Sequence, residues 1–168
     1  MNAKIKILVI FAITLFSTLL QARVGETYDD IVARFGQPDH TFKDMPFDKV
    51  VSVQWDLGRN SLLYYAVFNM DRISIWEWIT RKDGNSIPPR QIDTFLNSQD
   101  STFERIGFTR ELELGNTSIR LPKPHTVYMN ESNTLAAKYD ISEERVNILS
   151  KEVLKLFDEL LNEQSIEF

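Results

Sequence analysis

The run Ser61-Leu-Leu-Tyr-Tyr-Ala-Val-Phe-Asn69 constrains this chain more than any other stretch. Leu62, Tyr64, Ala66 and Phe68 alternate against Leu63, Tyr65 and Val67, so the segment is apolar on both faces. A strand of that kind sits inside a sheet and is covered on both sides. Its neighbours supply the sheet. Lys49 to Trp55 is rich in Val, and Asp56-Leu-Gly-Arg-Asn60 reads as the turn between the two runs. Met70-Asp71-Arg72 then closes a hairpin into Ile73 to Arg81. Three consecutive antiparallel strands make a β-meander, and this meander is the expected heart of the domain.

Strict alternation in the third strand places Ile73, Ile75, Glu77 and Ile79 on one face and Ser74, Trp76, Trp78 and Thr80 on the other. Trp76 and Trp78 are therefore the candidate binding residues. Two indoles projecting side by side can stack on a sugar, a peptide or a partner side chain. The structural alternative is that this face packs beneath a helix. Glu77 shares its face with three isoleucines, and a buried carboxylate needs a partner, for which Arg72 and Arg81 are nearest in sequence.

Helices flank the meander. In Gly25-Glu-Thr-Tyr-Asp-Asp-Ile-Val-Ala-Arg-Phe-Gly-Gln-Pro38, Thr27 can cap first-turn amides, with Asp30 as the short form of the capping-box partner. Asp29 and Asp30 also suit the positive end of a helix dipole. Ile31, Val32 and Phe35 form the apolar stripe. Gly36 is expected to stop the helix in a left-handed conformation and Pro38 to prevent its resumption, which predicts a helix over Tyr28 to Phe35. A second short helix opens at Pro88-Pro89, shows Ile92, Phe95 and Leu96 on one side, and breaks at Asn97-Ser-Gln-Asp-Ser101.

Phe108 to Leu114 and Thr117 to Leu121 read as a hairpin across Gly115-Asn116, and Pro122-Lys-Pro-His-Thr126 as an extended loop. Leu135 to Tyr139 and Arg145 to Leu149 form another hairpin. The competing reading is one long helix capped by Ser142, since Val146, Leu149, Val153, Leu156 and Leu160 recur at helical spacing; strands are preferred. Beyond Ser150 a helix is clear, with Val153, Leu154, Phe157, Leu160 and Leu161 as its stripe. The fold class is α+β, an antiparallel sheet packed by an N-terminal, a middle and a C-terminal helix.

Residues 1–22 read as an address. Lys4 and Lys6 precede an apolar run from Ile7 to Leu20 that ends at Gln21-Ala22. The order positive, apolar, small is that of a secretory signal peptide with cleavage after Ala22. The run suits a signal core of about 7–15 residues. It is short for an uncleaved span, which needs roughly 20. The remaining chain, residues 23–168, is the size of one domain, and periplasmic or extracellular release without stable membrane insertion follows.

Charge and cysteine content narrow the partners. The chain has 19 basic and 24 acidic residues, and losing Lys4 and Lys6 leaves 17 against 24, a formal −7. Such a protein is poorly made for nucleic acid or anionic membrane, because both demand clustered cations. With no cysteine, it carries neither a disulfide nor a lipid-modified cysteine at the mature N-terminus. An exported domain without staples points to a bacterial envelope.

The segment Arg23 to Pro38 resembles a pattern of small exported bacterial proteins, in which a helix of the form G-T/S-x-x-x-hydrophobic-x-x-x-x-G-x-P leads into a β-meander. The outer-membrane assembly lipoproteins of the small-protein-A and BamE-like group share it, as does the β-lactamase-inhibitor-like fold around them. It is also similar to uncharacterised secreted proteins in which the meander leads to a short helix like Pro89 to Asn97. The likeness covers roughly Val24 to Asn97. The absent lipid-attachment cysteine departs from the assembly lipoproteins. The resemblance implies α+β architecture and a binding or scaffolding role, and brings no catalytic residues with it.

No catalytic motif is present. His40 and His125, beside Pro38 and Pro124, read as exposed loop residues without metal-ligand spacing. There is no G-x-S-x-G elbow, and six glycines never form a phosphate-binding loop. Asp29-Asp30 and Glu143-Glu144 read as capping or solvated pairs. Asn116-Thr-Ser118 and Asn130-Glu-Ser132 match the N-glycosylation sequon, which matters only in a eukaryotic secretory pathway and arises often by chance. The expectation is an exported binding or interaction module of the cell envelope, with no cofactor or metal and another envelope or secreted protein as partner. The alternatives are a secreted enzyme inhibitor, or an enzyme whose site would gather His40, His125, Asp56 or Glu77 in one cavity.

Overall fold

In a computed structural model of the chain, residues 23–42, 50–58, 61–140 and 144–164 are described. The leader reading of residues 1–22, the start of the Val-rich strand at Lys49, and the Leu160 and Leu161 side chains lie outside what is described. The elements run α1 (Tyr28–Phe35), β1 (His40–Phe42), β2 (Val51–Asp56), β3 (Leu62–Phe68), β4 (Ser74–Arg81), α2 (Pro89–Gln99), β5 (Glu104–Leu114), β6 (Thr117–Met129), β7 (Leu135–Asp140), β8 (Arg145–Ser150) and α3 (Lys151–Gln164). The class is α+β, as the patterning predicts.

All eight strands belong to one antiparallel sheet in the order β1-β2-β3-β4-β8-β7-β6-β5. Two meanders share a seam. The first runs outward to β4; the chain then crosses through α2 to the far edge and meanders back until β8 lies beside β4. The strand reading of 135–149 holds, with Leu135 opposite Ser150 and Tyr139 opposite Val146. Sheet pairing satisfies the backbone groups of this segment, so the helical spacing from Val146 onward is used only after Ser150. There the chain turns directly into α3, and the Ser150 hydroxyl accepts from the Val153 amide at 3.4 Å.

The first face of the sheet is covered by α1 and α2. Ile31, Trp55, Tyr64, Ala66, Phe68, Ile79, Ile92, Phe95 and Leu96 make one core there. The second face packs against α3, where Val67, Ile75, Leu149, Val153 and Leu154 meet Leu112, Leu114 and Leu121 from the β5–β6 hairpin. Thr27 caps α1 with the full capping box, as its sequence predicts. Gly36 has φ 83° and ψ −169°, which is extended and not the left-handed helical turn expected. That region is essentially reserved for glycine. It lets the Gly36 amide reach Val32 O while its own carbonyl accepts from Trp55 Nε1 at 3.0 Å.

Three expectations change. The middle helix continues through Asn97 to Gln99, because the buried Gln99 side chain binds both the Val24 amide and Glu77. Pro122 to Thr126 is part of β6, not a loop. Thr109 faces His125 and Glu111 faces Arg120, so β6 carries extra residues in a broad bulge holding Pro122 and Pro124, neither of which can donate to the ladder. His40 accordingly stands exposed on edge strand β1, and His125 is 3% exposed within β6; neither is a loop residue. No helix of the described residues is long and apolar enough to cross a membrane.

Candidate functional site

The bulge that re-aims the β4 side chains is not visible as a break in the sequence. Val67 lies opposite Trp76 but Phe68 lies opposite Ser74, leaving Ile75 as the extra residue. Strict alternation therefore fails at Ile75. Ser74 turns to the face of Glu77, while Ile75 joins Trp76 and Trp78 on the α3 side. The expected grouping of Ile73, Ile75, Ile79 and Glu77 is corrected accordingly.

Glu77 is 0% exposed, and its partners are not Arg72 or Arg81. Arg72 pairs with Asp29 and Arg81 with Asp83. The carboxylate instead accepts from Ser74 Oγ at 2.6 Å and Gln99 Nε2 at 2.7 Å. Burial pushes its pKa up to about 7, against the downward pull of those two hydrogen bonds, and the Glu26 charge adds to the rise. The Tyr64 hydroxyl, buried in the same region, is raised well above the ordinary phenol by burial first and the Glu77 charge second. Gln99 Oε1 accepts the Val24 amide at 2.8 Å, and Gly25 N donates to Ser74 O at 2.7 Å. This polar knot ties the N-terminal segment to α2 and the sheet. It is enclosed by packed elements.

The second face is different. Cross-strand register lines up Gln54, Tyr65, Trp78, Asn147 and Lys138 as one row over five strands. The row beside it holds Ser52, Val67, Trp76, Leu149 and Ala136. Tyr65 and Trp78 stack nearly parallel, with centroids 4.8 Å apart and planes 6° from each other. Trp78 meets Trp76 at 4.9 Å, and Trp76 meets Phe157 of α3 edge-on at 5.6 Å. Phe42 extends the strip beyond Tyr65 at 6.4 Å. The result is an aromatic band from edge strand to helix. Among the described side chains, α3 meets it at the Trp76 end through Phe157. Tyr65, Trp76, Trp78 and Phe157 remain half-buried, and Phe42 is 42% exposed.

Both candidate residues, Trp76 and Trp78, thus lie on one face, with Trp76 at the helix and Trp78 beyond it. Sequence reading missed the groups around them. Arg145 lies over the Trp78 ring at 5.8 Å. Asn147, 1% exposed, accepts from Trp76 Nε1 at 3.2 Å. An indole N–H can only donate, so this bond fixes the amide orientation. Asn147 Nδ2 is then left buried without a hydrogen-bond partner among the described residues. Such a donor costs roughly 1–3 kcal/mol when nothing accepts from it.

A cavity of about 380 Å³ opens between this row, α3 and the β6 bulge. Trp76, Leu149, Phe157 and Leu121 supply apolar walls, while Asn147, Arg120, Lys138 and Arg145 supply donors. No acidic side chain is among its described lining residues. His40, His125, Asp56 and Glu77 are not among its described lining residues either; they are placed on the edge strand β1, within β6, at the end of β2 and on the opposite face of β4. Among the described residues no cluster of metal-ligating side chains occurs. No family model, curated protein or solved structure matches the chain.

Proposed function

We propose that this chain is an exported binding module of a bacterial envelope whose working surface is the Trp76/Trp78 face. The observation that carries the reading is the uneven cover of the sheet. Among the described residues, two helices pack on the first face, whereas the second keeps a continuous, half-buried aromatic band beyond helix α3. Neighbouring indoles partly open to water, one of them stacked on Tyr65, are well suited to a ligand ring or an apolar side chain. Flanking amides and cations give orientation to whatever lies on them. Export rests on the Lys4 to Ala22 pattern, and the envelope setting on the likeness of Val24 to Asn97 to small exported bacterial proteins.

The test compares retained ligands. The wild-type protein and Trp78→Ala are each recovered from the compartment they reach and analysed by mass spectrometry after exposure to envelope extract. A species retained by the wild type and lost from a variant of unchanged circular dichroism supports the reading. Equal retention by both proteins contradicts it, and an N-terminus still beginning at Met1 contradicts export with cleavage.

A further inference from the structure

We propose that the cavity beside α3 binds a small amphipathic carboxylate, a free acid with an apolar chain, with its head toward Arg120, Lys138, Arg145 and Asn147 and its chain along the walls made by Trp76, Phe157 and Leu121. This deepens the binding-module reading and rests on it. Three independent features of the site converge. At about 380 Å³ the cavity lies at the small end of ligand sites, which span roughly 300–1,000 Å³. It is large enough for one short chain and too small for a folded partner segment.

Its charge is the second feature. The chain as a whole is acidic, at −5, yet the described residues lining this cavity include three cations and no carboxylate. A cationic lining in an acidic protein is selective, since the surrounding field disfavours large polyanions while the cavity favours a single negative head. Third, the Asn147 amide is held by Trp76 with its Nδ2 unmet, so the site presents a fixed donor that lacks an acceptor. A carboxylate offers acceptors only, two oxygens with room for several donors. The apolar walls require the remainder of the ligand to be uncharged. The β6 bulge contributes to the cavity, because Leu121 and Pro122, which line it, stand outside the regular ladder beside the paired Arg120.

The probe is decanoate, titrated into protein purified after expression of the full 168-residue chain, with tryptophan fluorescence and calorimetry as readouts. Decanol, which has the same chain without the charge, and vesicles of anionic phospholipid are the comparison arms. The expected result is saturable binding of decanoate at least tenfold tighter than decanol. The double variant Arg120→Gln/Lys138→Gln should lose at least tenfold for decanoate and change little for decanol, whereas Phe157→Ala should weaken both. Equal affinity for decanoate and decanol, binding of vesicles without binding of decanoate, or an unaffected double variant would each overturn the proposal. Circular dichroism of each variant separates lost binding from lost fold. If decanoate fails but Trp78→Ala still loses the ligand retained from envelope extract, only this inference falls. If neither effect is seen, the aromatic-face reading falls with it.

Discussion

Glu77 shows how one residue can couple the fold to pH. Its carboxyl is raised from 4.5 to about 7, first by burial, with Ser74 and Gln99 opposing. Between those two values the folded protein holds a proton that the unfolded chain has released. Stability therefore falls as pH rises from about 4.5 to about 7 and is level on either side, by about 3 kcal/mol for this one group. Glu77→Gln removes the titration while keeping a shape that Ser74 and Gln99 can bond. Its denaturant midpoint is expected to lack that part of the slope and to exceed the wild type most at pH 8; parallel pH profiles would remove Glu77 as the cause. Gly36 offers a second residue-level test. Nothing lies within 4 Å of where a Cβ would stand, so Gly36→Ala should report backbone strain alone, about 1–3 kcal/mol in chemical unfolding. Asn130 is a third case, since its sequon reading gives way to a structural one. It is buried, and its Oδ1 accepts from the Thr134 and Leu135 amides at 3.0 Å each while Nδ2 reaches Asp100.

At the scale of elements, patterns carried by one segment were legible and those needing two were not. The capping box at Thr27 and Asp30, the Ile92/Phe95/Leu96 stripe and the two-faced strand over Leu62–Phe68 are local, and each appears where its residues place it. The bulge at Ile75 depends on how β3 meets β4, which no property of Ser74 to Trp76 reveals. That single extra residue moved Ser74 to Glu77 and Ile75 to Trp76. The β6 excursion was half legible: Pro122 and Pro124 signal a poor ladder, but the strand resumes at His125 because β5 is there to receive it. Strand β1 escaped notice because His40–Phe42 has no apolar alternation and is held by Val51–Asp56 from outside. For α3 the local stripe makes a firm prediction. Leu154 is fully buried in the cluster that also holds Leu112 and Leu114, so Leu154→Ala should cost about 2–5 kcal/mol in thermal unfolding. A smaller loss would mean that α3 packs loosely and does not form one wall of the cavity.

For the whole molecule, the telling property is asymmetry. Among the described residues, one sheet divides two unequal coats: two helices over a polar knot and a large aromatic core, and one helix beside a band whose rings stay half-buried. The Trp76/Trp78 pair was legible as a pair from its spacing of two, but its setting was not, since Tyr65, Asn147, Lys138 and Arg145 come from three other strands. The measurement that most directly tests the account sets Trp78→Ala against Trp55→Ala in parallel thermal melts and ligand retention. Trp55 is 2% exposed beneath α1, and its loss should cost about 3–5 kcal/mol. Trp78 has its ring stacked on Tyr65 but partly open, so its loss should cost clearly less and yet abolish retention of the envelope ligand. If Trp78→Ala melts as early as Trp55→Ala, or keeps the ligand, the aromatic face is core and not a binding surface.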